Sequence, residues 1–412
     1  MKYIYLIWIS LFITNNLFAQ QEFGTRDEES QHAEFLNLAQ TPPMGWNSWN
    51  KFGCNVSEKL IKEMADAMVK SGMKDIGYEY VVIDDCWQTG RDEKGNIIVD
   101  KERFPNGMKP VADYVHSLGL KFGIYSCAGS KTCQGRPGSR GHQFQDALQY
   151  AEWGVDYLKY DWCYNEGQDA KAAYKTMSDA LKACGRPIVF SICEWGENKP
   201  WEWGKGIGHM WRITPDIRDC YDCKFNWGGV GVLQILDKAL TLDQYAGPGH
   251  WNDLEMLEIG NGGQTEHEYR SHFAIWSMMS APLMAGNDIR DMDSLSKSIL
   301  CNKDAVAINQ DPLGRSAFRF IQFNGIDILV KPLSNGDVAF LFINRNNFKI
   351  DLNYNWNMDS VFDRAFENGA LYMKRNPRKI KEIWTGKDIG TTDTPINRSL
   401  EPHESLFFRL RK

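Results

Sequence analysis

Short runs rich in β-branched and aromatic residues alternate with amphipathic stretches between residues 44 and 300, and this alternation constrains the fold more than any other feature. Strands that alternate with helices predict an α/β fold with a parallel sheet, and eight strands favour a closed (β/α)8 TIM barrel. No clear helical pattern follows the fifth strand, so an open, doubly wound sheet is the alternative. The predicted strands are Met44–Asn47, Tyr80–Asp84, Phe122–Ser126, Tyr157–Trp162, Ile188–Cys193, Trp211–Thr214, His250–Asp253 and Leu283–Ala285. The predicted helices are Ser57–Lys70, Pro110–Ser117, Gln143–Trp153, Asp169–Cys184, Leu233–Ala239, Glu268–Ser280 and Leu295–Leu300.

A different pattern begins after the junction that ends at Gly314, which contains Pro and Gly. The apolar runs Ile326–Val330, Val338–Ile343 and Ser405–Leu410 are separated by turn residues and show no helical period. Runs of this kind predict a small all-β domain behind the barrel.

The N-terminal segment from Met1 to Ala19 combines one Lys, a short apolar run and a small final residue, which is typical of a secretory signal peptide. The apolar run is short for a membrane span, and an uncleaved anchor is the alternative. We therefore expect an exported protein, periplasmic or extracellular, without a membrane partner after cleavage. The expected division of the chain is a signal peptide at 1–19, a leader at 20–36, the barrel at 37–314 and the β domain at 315–412.

The charge balance gives no reason to expect a charged macromolecule as partner. The chain carries 47 basic and 53 acidic side chains, a net charge of -6 over 412 residues, and no long basic run. Nucleic acid and anionic membranes are therefore disfavoured, and a neutral ligand fits better. The His residues form neither H-x-H nor H-E-x-x-H, and no G-x-S-x-G occurs, which argues against a metallohydrolase and an α/β-hydrolase. The sequence does not indicate an oligomeric state.

The fourth predicted strand carries a cation and a carboxylate on one face. Alternation along the strand puts Lys159 and Asp161 on the same side of the sheet. Because both faces of a parallel barrel are buried, such a pair is costly unless it lies at the open C-terminal rim. We expect Lys159 to keep Asp161 ionised, as a nucleophile requires. A structural ion pair is the alternative.

Acidic residues also end or follow three other predicted strands. Asp84 and Asp85 stand at the end of the second strand, and Glu194 directly follows the fifth. Asp216 follows the sixth strand, on a loop. A single loop acid is usually solvated. Four strand ends that bring acids to one rim instead predict a site for a ligand with many hydroxyl groups.

Paired carboxylates suit glycoside hydrolysis, in which one acts as nucleophile or base and the other as acid. Aromatic rings can cover the apolar face of a sugar, and Trp49, Tyr125 and Trp195 are candidates for that role. The pattern therefore favours a sugar-cleaving barrel. A barrel that binds sugar without cleaving it is the alternative from a different functional class.

These residues stand in segments that resemble glycoside hydrolase family 27, the α-galactosidases and α-N-acetylgalactosaminidases. The resemblance implies a (β/α)8 barrel followed by an antiparallel β-sandwich, with no metal and no organic cofactor. It further implies a retaining exo-α-galactosidase that acts on terminal α-D-galactosyl residues of oligosaccharides, polysaccharides or glycoconjugates. The matching segments, in the order of the family, are Thr41–Trp49, Ile83–Trp87, Leu158–Asp161, Cys193–Trp195, Trp211–Ile217, Trp251–Asp253, Ala281–Met284 and Asn309–Gly314.

The resemblance also implies roles for individual residues at the reacting carbon. Asp161 is expected to be the nucleophile, and Asp216 the general acid/base. Lys159 and Arg212 would bind the ring hydroxyls nearest the anomeric carbon. Trp49 would form one wall of the sugar pocket.

The remaining implied contacts concern specificity. Asp84 and Asp85 resemble the pair that binds O4 and O6 of galactose, and relatives that act as β-L-arabinopyranosidases tend to alter the first acid. Glu194 and Trp195 resemble the α-galactosidase form of the segment that faces O2. Relatives that accept an acetamido group have smaller residues there. The presence of Asp84 therefore disfavours a β-L-arabinopyranosidase, and the presence of Glu194 and Trp195 disfavours an α-N-acetylgalactosaminidase.

Export permits disulfides among the 10 Cys residues. The resemblance pairs Cys54 with Cys86, and Cys133 with Cys163 beside the nucleophile strand. The Cys residues without an assigned pairing are Cys127, Cys184, Cys193, Cys220, Cys223 and Cys301.

Two departures from the family pattern leave questions open. Gly208 stands where many members have a Cys, so Cys193 lacks the expected partner. Leu254 and Glu255 replace the usual Pro-Asp, and their effect on the sugar pocket does not follow from the sequence.

Overall fold

The computed structural model describes residues 34–357, 360–366 and 369–412. The predicted signal peptide and most of the predicted leader lie outside the described residues. Within the described ranges, no helix is long and apolar enough to cross a membrane.

Eight parallel strands form one curled sheet, in the order β8-β1-β2-β3-β4-β5-β6-β7. Leu257, just after β7, makes a parallel bridge to Ala285 in β8 and closes the sheet. The prediction of a (β/α)8 barrel is confirmed, and the open doubly wound alternative is wrong. The strands are β1 (Met44–Asn47), β2 (Tyr80–Val82), β3 (Lys121–Cys127), β4 (Tyr157–Asp161), β5 (Val189–Cys193), β6 (Met210–Arg212), β7 (Trp251–Asp253) and β8 (Leu283–Ala285).

Helices surround this sheet, and several begin at the polar residues that favour helix starts. Ser57 and Thr265 each accept a hydrogen bond from the backbone N–H three residues on. The helix that follows strand β5, α6, has only four residues, because Gly204 follows it directly and leaves no amphipathic run. The helices are α1 (Trp49–Phe52), α2 (Glu58–Lys70), α3 (Lys109–Ser117), α4 (Gln143–Trp153), α5 (Ala170–Ala183), α6 (Pro200–Trp203), α7 (Val232–Ala239), α8 (Glu266–Met278), α9 (Ser294–Leu300) and α10 (Lys303–Asn309).

Alternation along the strands sorts their side chains into two layers. In β4, Leu158 and Tyr160 belong to the large apolar core beneath the helices. Tyr157 belongs to a smaller cluster inside the barrel. Lys159 and Asp161 have the same parity as Tyr157, so they stand above it, toward the C-terminal rim.

The C-terminal part is antiparallel, with a six-stranded sheet in the order β9-β10-β11-β18-β15-β16 and the two-stranded pairs β12-β17 and β13-β14. Phe340, Phe342, Trp356 and Phe408 lie in its apolar core. The fold class is therefore as expected, whereas the boundary at residue 314 stays a prediction. The strands are β9 (Phe318–Phe323), β10 (Ile326–Pro332), β11 (Val338–Asn344), β12 (Ile350–Tyr354), β13 (Ser360–Phe362), β14 (Ala370–Tyr372), β15 (Lys379–Glu382), β16 (Asp388–Thr391), β17 (Ile396–Leu400) and β18 (Ser405–Arg411).

Buried Lys331 of β10 connects this domain to the barrel. Its Nζ donates hydrogen bonds to the carbonyl oxygens of Ser277 and Ile308 and to the Ser280 hydroxyl. Burial lowers the pKa of Lys331 to about 7. The three acceptors satisfy a polar group that would otherwise be costly at a domain interface.

Candidate active site

A cavity of about 190 Å³ opens at the carboxyl ends of the barrel strands. A second chamber of only about 20 Å³ lies along the barrel interior and shares two lining residues, Lys159 and Glu255, with the first. Arg212 lines the second chamber. The residues that line the first are Trp49, Asp84, Asp85, Tyr125, Cys133, Lys159, Asp161, Cys163, Trp195, Asp216 and Glu255.

Asp161, the last residue of β4, is 6% exposed. Its Oδ2 accepts a hydrogen bond of 2.9 Å from the Tyr125 hydroxyl, and its Oδ1 accepts one of 2.9 Å from the backbone N–H of Trp162. Burial raises the pKa of Asp161 to about 6, and the positive charge of Lys159 opposes the rise. The two hydrogen bonds hold this carboxylate in one orientation.

Lys159 makes its direct ion pair with Asp84, at 2.8 Å between Nζ and Oδ2, and not with Asp161. This corrects the expected local pairing within β4. The same Asp84 oxygen accepts a hydrogen bond of 2.9 Å from the Asn47 side chain. Although burial disfavours its charge, the neighbouring Asp84 keeps the pKa of Lys159 well above the usual value. Lys159 therefore remains a cation beneath the cavity.

Asp85 is held by backbone groups. Its Oδ1 accepts from the N–H of Cys86 at 2.7 Å, and its Oδ2 accepts from the N–H of Gln134 at 3.0 Å. Burial raises the pKa of this carboxyl above its ordinary value. Asp84 and Asp85 thus lie side by side at the cavity wall with fixed orientations.

Disulfides lie next to both acidic segments. Cys54 is joined to Cys86, directly after the Asp84–Asp85 pair, and Cys133 is joined to Cys163, two residues after Asp161. These are the pairings that the family resemblance implies. Because Cys133 and Cys163 are bonded to each other, they offer no thiolates for a metal beside Asp161.

Arg212 is buried between two carboxylates. Its Nη2 is 3.1 Å from Asp216 Oδ1, and its Nη1 is 3.1 Å from Glu255 Oε1. The side chain of Asp216 is 48% exposed on the loop after β6. Burial disfavours ionisation of Asp216, but the charges of Arg212 and Lys159 together hold its pKa below the ordinary value.

Glu255 is the site residue that the sequence did not assign. It follows β7 with a positive φ of 78°, which is uncommon for a residue with a side chain. Its backbone N–H donates to Asp253 Oδ1, and its carbonyl accepts from the Trp276 indole. The departure from Pro-Asp at Leu254 and Glu255 was the available signal, and the structure places the longer carboxylate against Arg212.

Glu194 does not line the cavity, although the resemblance implies a segment that faces the sugar. Cys193 has the interior parity of β5, so the next residue points away from the barrel interior. The Glu194 carboxylate accepts from the backbone and side chain of Asn198 at 2.6 and 2.8 Å, and burial raises its pKa to about 7. Glu194 therefore holds the loop, whereas Trp195, with φ of 59°, reaches the cavity.

The remaining Cys residues also have defined places. Cys220 and Cys223 form a third disulfide, on the loop that carries Asp216. Cys193 is a buried free thiol whose sulfur lies 3.6 Å from Arg212 Nη1. The other free Cys residues in the described part of the chain are Cys127, Cys184 and Cys301.

The chain matches two family models, one described as alpha galactosidase A over residues 41–311 and one described as alpha galactosidase C-terminal beta sandwich domain over residues 323–410. An alpha-galactosidase A of Cellvibrio japonicus is 51% identical over 380 residues, which cover 92% of this chain and 93% of that protein. The crystal structure of alpha-galactosidase I from Mortierella vinacea has a TM-score of 0.85 at 37% identity, covering 90% of this chain and 97% of that one. The Saccharomyces cerevisiae alpha-galactosidase with raffinose has a TM-score of 0.84 at 32% identity, covering 92% and 99%. The similarity therefore extends over both the barrel and the β domain.

Proposed function

The chain belongs to glycoside hydrolase family 27 and is an α-galactosidase, and on this premise we propose that Asp161 is its nucleophile and Asp216 its general acid/base. The observation that carries the proposal is that both carboxylates line one cavity, together with Lys159 and the Asp84–Asp85 pair. Asp161 is fixed and buried, as an attacking group requires, and Asp216 stands at the solvent side.

In the first step, a carboxylate oxygen of Asp161 attacks the anomeric carbon of the terminal α-galactosyl residue. The bond from that carbon to the glycosidic oxygen breaks, and Asp216 gives its proton to the departing oxygen. The product is a β-galactosyl ester on Asp161. The Tyr125 hydroxyl donates to Oδ2 of Asp161 and the Trp162 N–H donates to Oδ1, so both carboxylate oxygens are held in position for the attack.

In the second step, ionised Asp216 takes a proton from water, and the water oxygen attacks the anomeric carbon from the opposite face. The ester bond to Asp161 breaks, and α-galactose leaves with its original configuration. Asp216 is protonated again and Asp161 is free, so the cycle closes without a redox or metal step.

The productive form of the pair carries one proton, on Asp216. In the enzyme without substrate, burial raises the pKa of Asp161 to about 6, so the proton is favoured on Asp161. The charges of Arg212 and Lys159 hold the pKa of Asp216 low. Two interacting acids titrate as a pair, so the singly protonated state is populated between their two apparent pKa values. We infer that the productive arrangement is a minor form of this state until substrate binds.

Specificity for galactose over its C6-lacking analogue is assigned to Asp84 and Asp85. Asp84 receives two donors, Lys159 and Asn47, on one oxygen, which leaves acceptor capacity for sugar hydroxyls. Trp195 lines the same cavity, and we propose that its indole excludes an acetamido group, which favours galactose over N-acetylgalactosamine. The substrate class is α-galactosides of the raffinose type, and the expected location is outside the cytoplasm.

Proton NMR of the reaction tests the proposal. We expect α-galactose to appear first from an aryl α-galactoside, followed by slow mutarotation. Asp161→Asn removes the nucleophile with little change of shape and is expected to abolish release, while Asn198→Ala, outside the cavity, retains the stereochemical course. Initial release of β-galactose, or full activity of the Asp161 variant, would contradict the assignment.

A further inference from the structure

The loop that carries Asp216 continues into a tight turn with two exposed aromatic rings. The turn is closed by the Phe225 N–H, which donates to the Gly229 carbonyl at 2.8 Å, and by the Gly228 N–H, which donates to the Phe225 carbonyl at 2.9 Å. Val230, just after the turn, donates its N–H to the Asp216 carbonyl at 3.1 Å. The turn is therefore bonded directly to the residue proposed as the acid.

The base of this turn is anchored on both sides. The disulfide between Cys220 and Cys223 closes the preceding segment, and the Gly231 N–H donates to the Cys223 carbonyl at 3.0 Å. The ring of Tyr221 packs on His403 of the β domain, with 4.7 Å between the ring centroids. The turn is thus held in place without help from its own aromatic side chains.

Those side chains are open to solvent. Phe225 is 43% exposed and Trp227 is 60% exposed. Their ring centroids lie 6.0 Å apart at an interplanar angle of 32°. The Arg218 guanidinium lies 5.5 Å from the Trp227 centroid. Two neighbouring aromatic rings on one anchored turn form a contiguous apolar surface, in contrast to isolated exposed side chains, which need no explanation.

The chemistry of the reaction selects the occupant of this surface. A general acid must lie within hydrogen-bond reach of the oxygen that it protonates, so the group attached to that oxygen lies on the Asp216 side of the cavity. An exo-acting enzyme encloses only the terminal galactose. The rest of the substrate must then leave the cavity across the loop that carries Asp216.

We propose that Phe225 and Trp227 bind the apolar face of the sugar that is linked to the terminal galactose. This subsite rests on the proposed role of Asp216, and it makes oligosaccharides and polysaccharides, rather than galactosides of small alcohols, the preferred substrates. Flat aromatic rings give such a sugar a large contact area with few torsions to fix. Arg218 supplies donors for hydroxyl groups at the edge of the surface.

The test compares raffinose with methyl α-D-galactopyranoside. Both substrates need protonation by Asp216, but the methyl group is too small to reach the aromatic turn. Trp227→Ala, alone and with Phe225→Ala, is expected to lower kcat/KM for raffinose about ten-fold, mainly through KM, and to leave the value for the methyl galactoside unchanged. Trp227→Tyr is expected to restore most of the raffinose activity.

Phe348→Ala is the matched control, because Phe348 is 58% exposed on the β domain, away from the cavity. An equal loss with both substrates would mean that the turn acts through Asp216, and it would overturn the subsite. If Trp227→Ala left the ratio of kcat/KM for raffinose to kcat/KM for the methyl galactoside unchanged, the subsite would be overturned too. This includes the outcome in which the variant changes only the self-association of the protein, measured by sedimentation. Loss of all activity in Asp161→Asn, by contrast, reports on the nucleophile and not on this surface.

Discussion

The two sides of the cavity hold their carboxylates in opposite ways. Asp161 is 6% exposed at a strand end and is fixed by hydrogen bonds from Tyr125 and Trp162. The Asp216 side chain is 48% exposed on a loop and is held by an ion pair with Arg212. The difference matches the two roles: a nucleophile gains from a fixed position, whereas an acid/base must exchange protons with water and release the leaving group.

The largest predicted effect concerns substitution of the two carboxylates. The loss of activity should depend on the leaving group for Asp216 but not for Asp161. Asp161→Ala is expected to reduce kcat by about 10⁴-fold or more with every substrate, because no ester can form. Asp216→Ala is expected to lower kcat/KM about 10²- to 10⁴-fold with raffinose. It should lower kcat/KM much less with an activated aryl galactoside, because that leaving group needs no proton and kcat/KM reports only on formation of the ester. Steady-state kinetics with both substrates measure the contrast. Equal losses for the two variants across substrates would remove the distinction between the two sides.

The second prediction compares the disulfides of the two sides. Removing Cys133–Cys163, with a sequence separation of 30, is expected to destabilise the protein by about 3 kcal/mol, because the link constrains a long loop in the unfolded chain. Removing Cys220–Cys223, with a separation of 3, should cost far less. Chemical denaturation of the paired Cys→Ser variants measures both. A larger loss at Cys220–Cys223 would show that the acid loop is the more strongly braced side.

A third prediction concerns the hydrogen bond that fixes the nucleophile. Tyr125→Phe removes the 2.9 Å bond to Asp161 and is expected to lower kcat about ten-fold, as for a lost bond to a charged group. Tyr174→Phe is the control, since the Tyr174 hydroxyl donates to the Tyr160 carbonyl in the outer layer. Its kcat should stay at the wild-type value. If both variants kept full kcat, the fixed orientation of Asp161 would not matter for catalysis.

The fourth prediction is the pH dependence of kcat/KM, which reports on the free enzyme. The raised pKa of Asp161, about 6, marks the pH at which the pair of Asp161 and Asp216 loses its last proton. Because the first step needs one proton, kcat/KM should fall as pH rises through about 6. The lowered pKa of Asp216 marks the acid side, below which both carboxyls are protonated and activity falls again.

The variant Glu255→Gln tests which charges set the acid limb of this pH profile. Removing the Glu255 charge leaves Arg212 facing Asp216 alone, so the pKa of Asp216 should fall further and the acid limb should move to lower pH. Glu197→Gln, on the loop after β5, is the control and should leave the profile in place. An acid limb that moves to higher pH in Glu255→Gln would contradict the proposed balance of charges around Arg212.

The barrel could be predicted from the sequence because strand parity and strand ends are local properties. Period-2 alternation put Lys159 and Asp161 on one face of β4, and both now line the cavity. What could not be predicted depends on contacts between strands. The partner of Lys159 is Asp84, 75 residues earlier in the chain, and Glu255 reaches Arg212 from 43 residues away.

Glu194 shows the limit of a resemblance. The motif Glu194-Trp195 marks the right strand end, but the left-handed backbone at Trp195 sends only the indole into the cavity. The C-terminal domain shows a different limit. Three apolar runs were enough to predict its class, whereas the short strands β12 to β17 carry too few alternating residues to be located from the sequence.

Azide rescue tests the central claim, the division of roles between Asp161 and Asp216, most directly. With an activated aryl α-galactoside, azide in the space left by Asp161→Gly attacks from the nucleophile's face, so we predict β-galactosyl azide. Asp216→Gly still forms the β-galactosyl ester, and azide then attacks from the opposite face, so we predict α-galactosyl azide. The anomer of each product is read by NMR. The reverse assignment of anomers, or the same anomer from both variants, would contradict the account.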